Sequence, residues 1–242
     1  MTHQRHPHNR NLTLLLNQTE WNGFRILPSP EGIIEDYLCA IHRTLYRAVT
    51  EYPRVYVLRF DLHIPKSGQA RTDQKAISRF MDSLRARLEA DLARKARGGK
   101  RVYPCRLRYV WAREQKDSPF CHYHVAIMLN RDAYFTLGKI TKAPDQTNAC
   151  SDHEDSIDFI ENTQARENMF TRINAAWASA LKIELAEVKG LVHIPTNPGY
   201  SINRNAAESD QQFKDVFYRL SYLAKAITKC YGNHVVHFSS SR

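Results

Sequence analysis

Between Thr72 and Arg97 the apolar residues Ile77, Phe80, Met81, Leu84, Leu88 and Leu92 return every three or four positions, which gathers them on one face of a helix. The same period runs through "SPEGIIEDYLCAIHRTLYRAVT" (29–50), whose Ser-Pro-Glu opening suits a helix start. It returns over roughly 168–184 and again in "DQQFKDVFYRLSYLAKAITK" (210–229). Elsewhere the pattern is that of strands. "RVYVLRFDLHIP", closed by Pro65, is rich in β-branched and aromatic residues, as are "CRLRYVWARE" (105–114) and "CHYHVAIMLN" (121–130). The short linker "QKDSPF" between the last two predicts an antiparallel hairpin, and "GLVHIP" (190–195) a short strand. Polar stretches separate these elements. Residues 1–11 read as a disordered lead within an N-terminal extension 1–28, and "TNPGYSINRN" reads as a turn-rich loop. The final "NHVVHFSSSR" fits a strand or a loop. An acidic insertion covers about 144–167, where His153, Glu154 and Asp155 are read as solvated. With no internal repeat, the pattern predicts one α+β domain over 29–242, a central antiparallel sheet flanked by helices.

Composition adds charge to this picture. The 242 residues carry 35 Lys and Arg against 25 Asp and Glu, a net charge of +10. A surplus of that size suits a polyanionic partner, because cations set against phosphates release condensed counterions. Lys75, Arg79, Arg85, Arg94, Lys95 and Arg97 on the 72–97 helix add to that expectation. The five cysteines are far apart and form no Cys-x-x-Cys pair, which argues against a disulfide framework or a cysteine zinc site. No apolar run is long enough to span a bilayer, so no membrane partner is expected, and the expected compartment is a reducing cytoplasm.

Two features point to chemistry. His122 and His124 lie two apart on a strand, so both imidazoles face the same way and suit one metal ion. An ion such as Mg2+ or Mn2+ calls for a carboxylate as well. Glu114 near the hairpin end is the first candidate, and Asp61, on the face shared by Arg59 and His63, is the second. The other feature is the helix 210–229. On a 100° wheel Val216, Leu220, Leu223 and Ile227 cluster on one side, while Tyr218, Tyr222, Lys225 and Lys229 form a stripe opposite. A phenol can attack a phosphodiester and hold the 5′ phosphate covalently, with a lysine offsetting the developing charge.

Taken together, His122-Tyr123-His124 and "YRLSYLAK" (218–225) resemble the His-hydrophobic-His and Tyr-x-x-x-Tyr or Tyr-x-x-Lys motifs of the HUH endonucleases. "VLRFDL", "GLVHIPTNPGY" and the terminal "HFSSSR" extend the likeness toward the replication initiators of filamentous phages and their prophage relatives. That resemblance implies a sheet of ferredoxin-like or RRM-like core with metal and tyrosine on one side. It implies His122, His124 and Glu114 as ligands of Mg2+ or Mn2+, Tyr222 as first nucleophile, Tyr218 as second nucleophile or assistant, and Lys225 beside the phosphate. The implied function is site-specific nicking and joining of single-stranded or hairpin origin DNA to start rolling-circle replication. DNA would be contacted by Arg106, Arg108 and Lys229, and no Walker A motif is present, so unwinding would fall to a host helicase. The alternatives are a DNA-binding regulator on a degenerate fold and a phosphoesterase that forms no covalent intermediate.

Overall fold

The computed structural model describes residues 3–66, 70, 72–115, 120–138, 167–226 and 235–242. Its centre is an antiparallel six-stranded sheet built on two long strands, β6 (Arg54–His63) and β8 (His122–Asn130), paired over nine positions. Before them in the chain come β1 (His3–His6), β2 (Asn9–Leu15), β3 (Glu20–Trp21), β4 (Phe24–Arg25), β5 (Ile33–Ile34) and α1 (Glu35–Glu51). The helix α2 (Ala76–Arg97) and the strand β7 (Arg108–Glu114) lie between them in sequence. After them come α3 (Met169–Leu181), β9 (Val192–His193), β10 (Gly199–Asn203), α4 (Ser209–Leu220) and β11 (Phe238–Ser240). The main sheet runs β10-β6-β8-β7-β11, with β9 pairing beside β10 along the outer edge of β6. The α+β class expected from the pattern is what the chain forms.

Both faces of the sheet are covered, which explains why β6 and β8 are buried almost throughout. Leu58, Phe60, Leu62, Val125 and Ile127 point to a core closed by α2 and α3, with Trp177 and Phe80 fully buried there. Val55, Val57, Val110, Ala126 and Met128 point the other way, to a core closed by α1 and α4. Alternation along a strand sorts the two sets. On the second face the apolar residues end halfway along the strands, and a charged set takes over.

Several expectations need correction. The expected disordered lead is a β-hairpin of β1 and β2, joined to β5, and Leu14, Leu15, Trp21 and Ile26 of the expected extension are buried. Leu15, Trp21 and Ile26 belong to the same core as α1 and α4. Their apolar spacing is too irregular to signal this; long-range packing decides it. α1 starts at Glu35, because Ile33 and Ile34 are drawn into β5. The expected loop "TNPGYSINRN" contains β10, paired with β6 over five positions. The helix expected over 210–229 ends at Leu220 and continues as a 3-10 turn, Ser221–Ala224, with Lys225 extended. Part of the expected basic face is neutralised within the molecule: Arg79 pairs with Asp73, Arg85 with Asp82, and Arg94 and Lys95 with Asp91, while Lys75 and Arg97 make no ion pair among the described residues. The acidic insertion up to 166 and Lys229 lie outside the described residues. Among the described residues no helix is long and apolar enough to cross a membrane.

Candidate metal centre

Three strands deliver the charged set in register. Glu114 stands opposite His122 and His122 opposite His63. Two residues further along each strand, Ala112 stands opposite His124, His124 opposite Asp61, and Asp61 opposite His193 of β9. The next row holds Arg59 opposite Ala126. The period of two therefore lines Arg59, Asp61 and His63 on one face beside His122, His124 and Glu114.

The donor atoms of Glu114, His122 and His124 converge. His124 Nε2 is 3.0 Å from Glu114 Oε2 and 3.3 Å from His122 Nε2, and His122 Nε2 is 3.8 Å from Glu114 Oε2. An ion bound at about 2.1 Å holds neighbouring ligand atoms about 3.0 to 3.4 Å apart, so two sides of the triangle match one divalent ion and the 3.8 Å side is somewhat wider. These three residues form a group able to hold a metal ion. Glu114 and His124 are buried, whereas His122 is partly exposed, so the cluster opens to solvent on the His122 side. Burial, followed by the neighbouring charge of His124, pushes the His122 pKa down, favouring the neutral imidazole that a metal needs.

Asp61, the second candidate ligand, sits behind His124 instead. Its Oδ1 is 2.6 Å from His124 Nδ1 and its Oδ2 is 3.3 Å from His193 Nδ1. The short separation assigns the Nδ1 proton of His124 to this bond and turns Nε2 toward Glu114 and His122. Burial pushes the Asp61 carboxyl up, but the bond from His124, the charges of His124 and Arg59 and the bond from His193 outweigh it and hold it at about 2. Burial also works against the charged form of His124, yet its bonds to Asp61 and Glu114 raise its pKa. Arg59, Asp61, Glu114 and His124 are each less than 8% exposed. Burying charges costs several kcal/mol each unless they are paired, so such a network survives in the core only through its mutual bonds.

The tyrosines part company. The Tyr222 ring meets the His124 ring edge-on at 5.1 Å, the Arg59 guanidinium lies 5.4 Å from its centre and Lys225 Nζ lies 4.3 Å from it. Residues i and i+3 eclipse in a 3-10 turn, which brings Lys225 over Tyr222. Tyr218, still within α4, meets Arg25 of β4 instead. The unbroken stripe expected on the wheel is therefore divided. Burial, then the negative charge of Glu114, pushes the Tyr222 phenol up, while Arg59 and Arg219 pull it down. The N-terminal segment holds this turn. Leu27 N–H donates to Ser221 Oγ, which donates to the Tyr218 carbonyl, and Ala226 N–H donates to the Gly32 carbonyl.

Of the residues assigned to DNA, Arg106 is exposed, but Arg108 is buried and bonded to Glu51 at 2.6 Å and to the Arg242 carbonyl. Its guanidinium is thus engaged within the molecule, at the edge of a cleft it lines with Arg47, Arg106 and Arg242. Six residues of strand, roughly 20 Å, separate Arg108 from Glu114. Sequence reasoning missed the contribution of Arg59, although its spacing with Asp61 and His63 carried the signal. It also missed His193 and Arg219, which only the pairing of β9 with β6 and the packing of α4 on β10 bring to the site.

The model of the YagK/YfjJ C-terminal domain matches residues 16–241 of the chain. The uncharacterized protein YagK of Escherichia coli (strain K12) is 35% identical over 217 residues, 86% of this chain and 93% of that protein. The uncharacterized protein YfjJ of the same strain is 31% identical over 222 residues, 83% of this chain and 95% of that protein. No solved structure matches the chain.

Proposed function

The chain belongs to the YagK/YfjJ C-terminal domain family, and we propose that it nicks and rejoins one strand of DNA at a defined site through a phosphotyrosine. One observation carries the reading: a two-histidine, one-glutamate donor triangle lies against the ring of a tyrosine whose other neighbours are an arginine and a lysine. Such a set is what the resemblance to the HUH endonucleases implies. The donor set fits a divalent ion, and its two imidazoles favour Mn2+ over the oxygen-demanding Mg2+. When bound, such an ion would polarise the scissile phosphate and offset its charge.

The chain's own residues do the rest. Tyr222 Oη forms a bond to phosphorus as the bond to the 3′ oxygen breaks; the phenolic proton passes to solvent water, and the 3′ oxygen takes one up from solvent water. Lys225 offsets charge on the phosphate, and Arg59 favours the phenolate. Asp61 keeps His124 in the ligating tautomer. Tyr222 acts alone in the first step, because Tyr218 is turned to Arg25. In this role the substrate is a replication origin in single-stranded or hairpin form, of phage, prophage or plasmid, and strand separation falls to a helicase partner.

The test is an SDS-resistant protein–DNA adduct formed with Mn2+ and a library of single-stranded origin fragments. The adduct forms with wild type and with Tyr218→Phe, and is lost with Tyr222→Phe, with His122→Ala and in EDTA. Cleavage without an adduct would point to a phosphoesterase. DNA binding without cleavage would point to a regulator.

A further inference from the structure

Two clefts border the cluster, one on each side. The first, of about 540 Å³, lies where the β9–β10 segment meets α4 and is lined by His193, Thr196, Asn197, Tyr200 and Arg219 among others. The second, of about 510 Å³, lies beyond His122 and is lined by His63, Lys66, Phe120, His122 and Lys189 among others. They meet at the cluster: His193 of the first is bonded to Asp61, and the His63 ring of the second is 6.4 Å from His193 and stacked on His122 at 5.4 Å. Each cleft offers an aromatic ring, Tyr200 or Phe120, and one or two cations. Among the described residues Arg219 has no hydrogen-bond or ion-pair partner, and its Nε is buried. Its charge nonetheless reaches both Tyr222 and Arg59.

We propose that the two clefts form one track for single-stranded DNA, with the attacked phosphate at the cluster between them and a flanking phosphate held by Arg219 on one side and by Lys66 and Lys189 on the other. Cations that follow a backbone, interleaved with rings on which bases stack, suit an extended single strand and carry no demand on sequence. A duplex keeps its bases stacked on one another and has none to offer Tyr200 or Phe120. The proposal rests on the nicking reading for the attacked phosphate, but the track itself is read from binding alone.

The experiment measures binding of fluorescein-labelled dT12 to the full chain carrying Tyr222→Phe, in EDTA, over a range of salt. Each cation lost from a single-strand site lowers the slope of log K against log salt by about 0.7. Arg219→Ala is therefore expected to lower the slope by about 0.7 and the pair Lys66→Ala/Lys189→Ala by about 1.4. Arg219→Lys keeps the slope, which separates lost charge from lost folding. Tyr200→Ala and Phe120→Ala weaken binding about 5-fold or more at unchanged slope. Arg85→Ala, on α2 across the sheet, changes neither. Slope loss from only one cleft, from neither, or an equal loss for a 12-base-pair duplex would overturn the track. An adduct with normal binding in all the cleft variants leaves nicking standing and removes the track; the reverse result does the opposite.

Discussion

At the residue scale, the decisive contact is the 2.6 Å bond between His124 and Asp61. It fixes the orientation of His124 without belonging to the donor triangle, so in the proposed metal centre Asp61 is a positioning residue. Asp61→Asn keeps the size of the side chain but weakens its hold on the His124 Nδ1 proton. It is expected to weaken Mn2+ binding about 10- to 100-fold, measured by calorimetry, while Glu114→Gln removes a ligand and abolishes binding. Equal losses in the two variants would show Asp61 to be a ligand itself. Arg108 teaches the opposite lesson. On the sequence it is one more surface cation, yet its guanidinium is buried and tied to the exposed Glu51 at the end of α1.

At the element scale, the end of α4 matters more than its length. A continued α-helix would keep Tyr218 and Tyr222 stacked one turn apart. The change to a 3-10 turn at Ser221 places Tyr222 against His124 and leaves Tyr218 at Arg25. Ser221 is fully buried and its hydroxyl joins that turn to the segment before β5. Gly32 serves the same clamp: at φ +89° its carbonyl receives Ala226 N–H, and a Cβ there would lie 2.9 Å from the Leu15 carbonyl. Ser221→Ala strands the Leu27 N–H, and a loss of about 1 to 3 kcal/mol in denaturant unfolding is expected. Adduct yield is expected to fall with it, since Tyr222 loses its anchorage.

At the scale of the whole molecule, the sheet is two structures in one. Half of its second face is apolar and packed by α1 and α4; the other half gathers buried charges. A divalent ion that binds only the folded chain stabilises it by mass action. At 100 times its Kd the gain is about 2.7 kcal/mol, which for a chain of this size raises Tm by about 5 to 10 °C. Differential scanning fluorimetry with Mn2+ is expected to show that rise in wild type, with EDTA reversing it and His122→Ala removing it. An unchanged Tm in wild type at saturating Mn2+ would count against the metal centre.

How much of this was legible in the chain follows from how local each signal is. Periodicity made α2, α3, β6, β7 and β8 readable, because an amphipathic helix or a buried strand writes its face into adjacent residues. The spacing of His122 and His124, and of Glu114 before a short hairpin, likewise placed three donors on neighbouring strands. The N-terminal hairpin, β10 and the end of α4 were not readable, since each owes its form to partners far away in sequence: β5, β6 and Ser221's bond to Leu27. The choice between Glu114 and Asp61 beside the histidines was also open, for both carboxylates lie on the right face. Only the register of β6 on β8 and β8 on β7 decided it, by setting Asp61 against Nδ1 of His124 and Glu114 against Nε2. The sequence by itself determined which side chains the sheet carries; the pairing of strands decided which atom faces which.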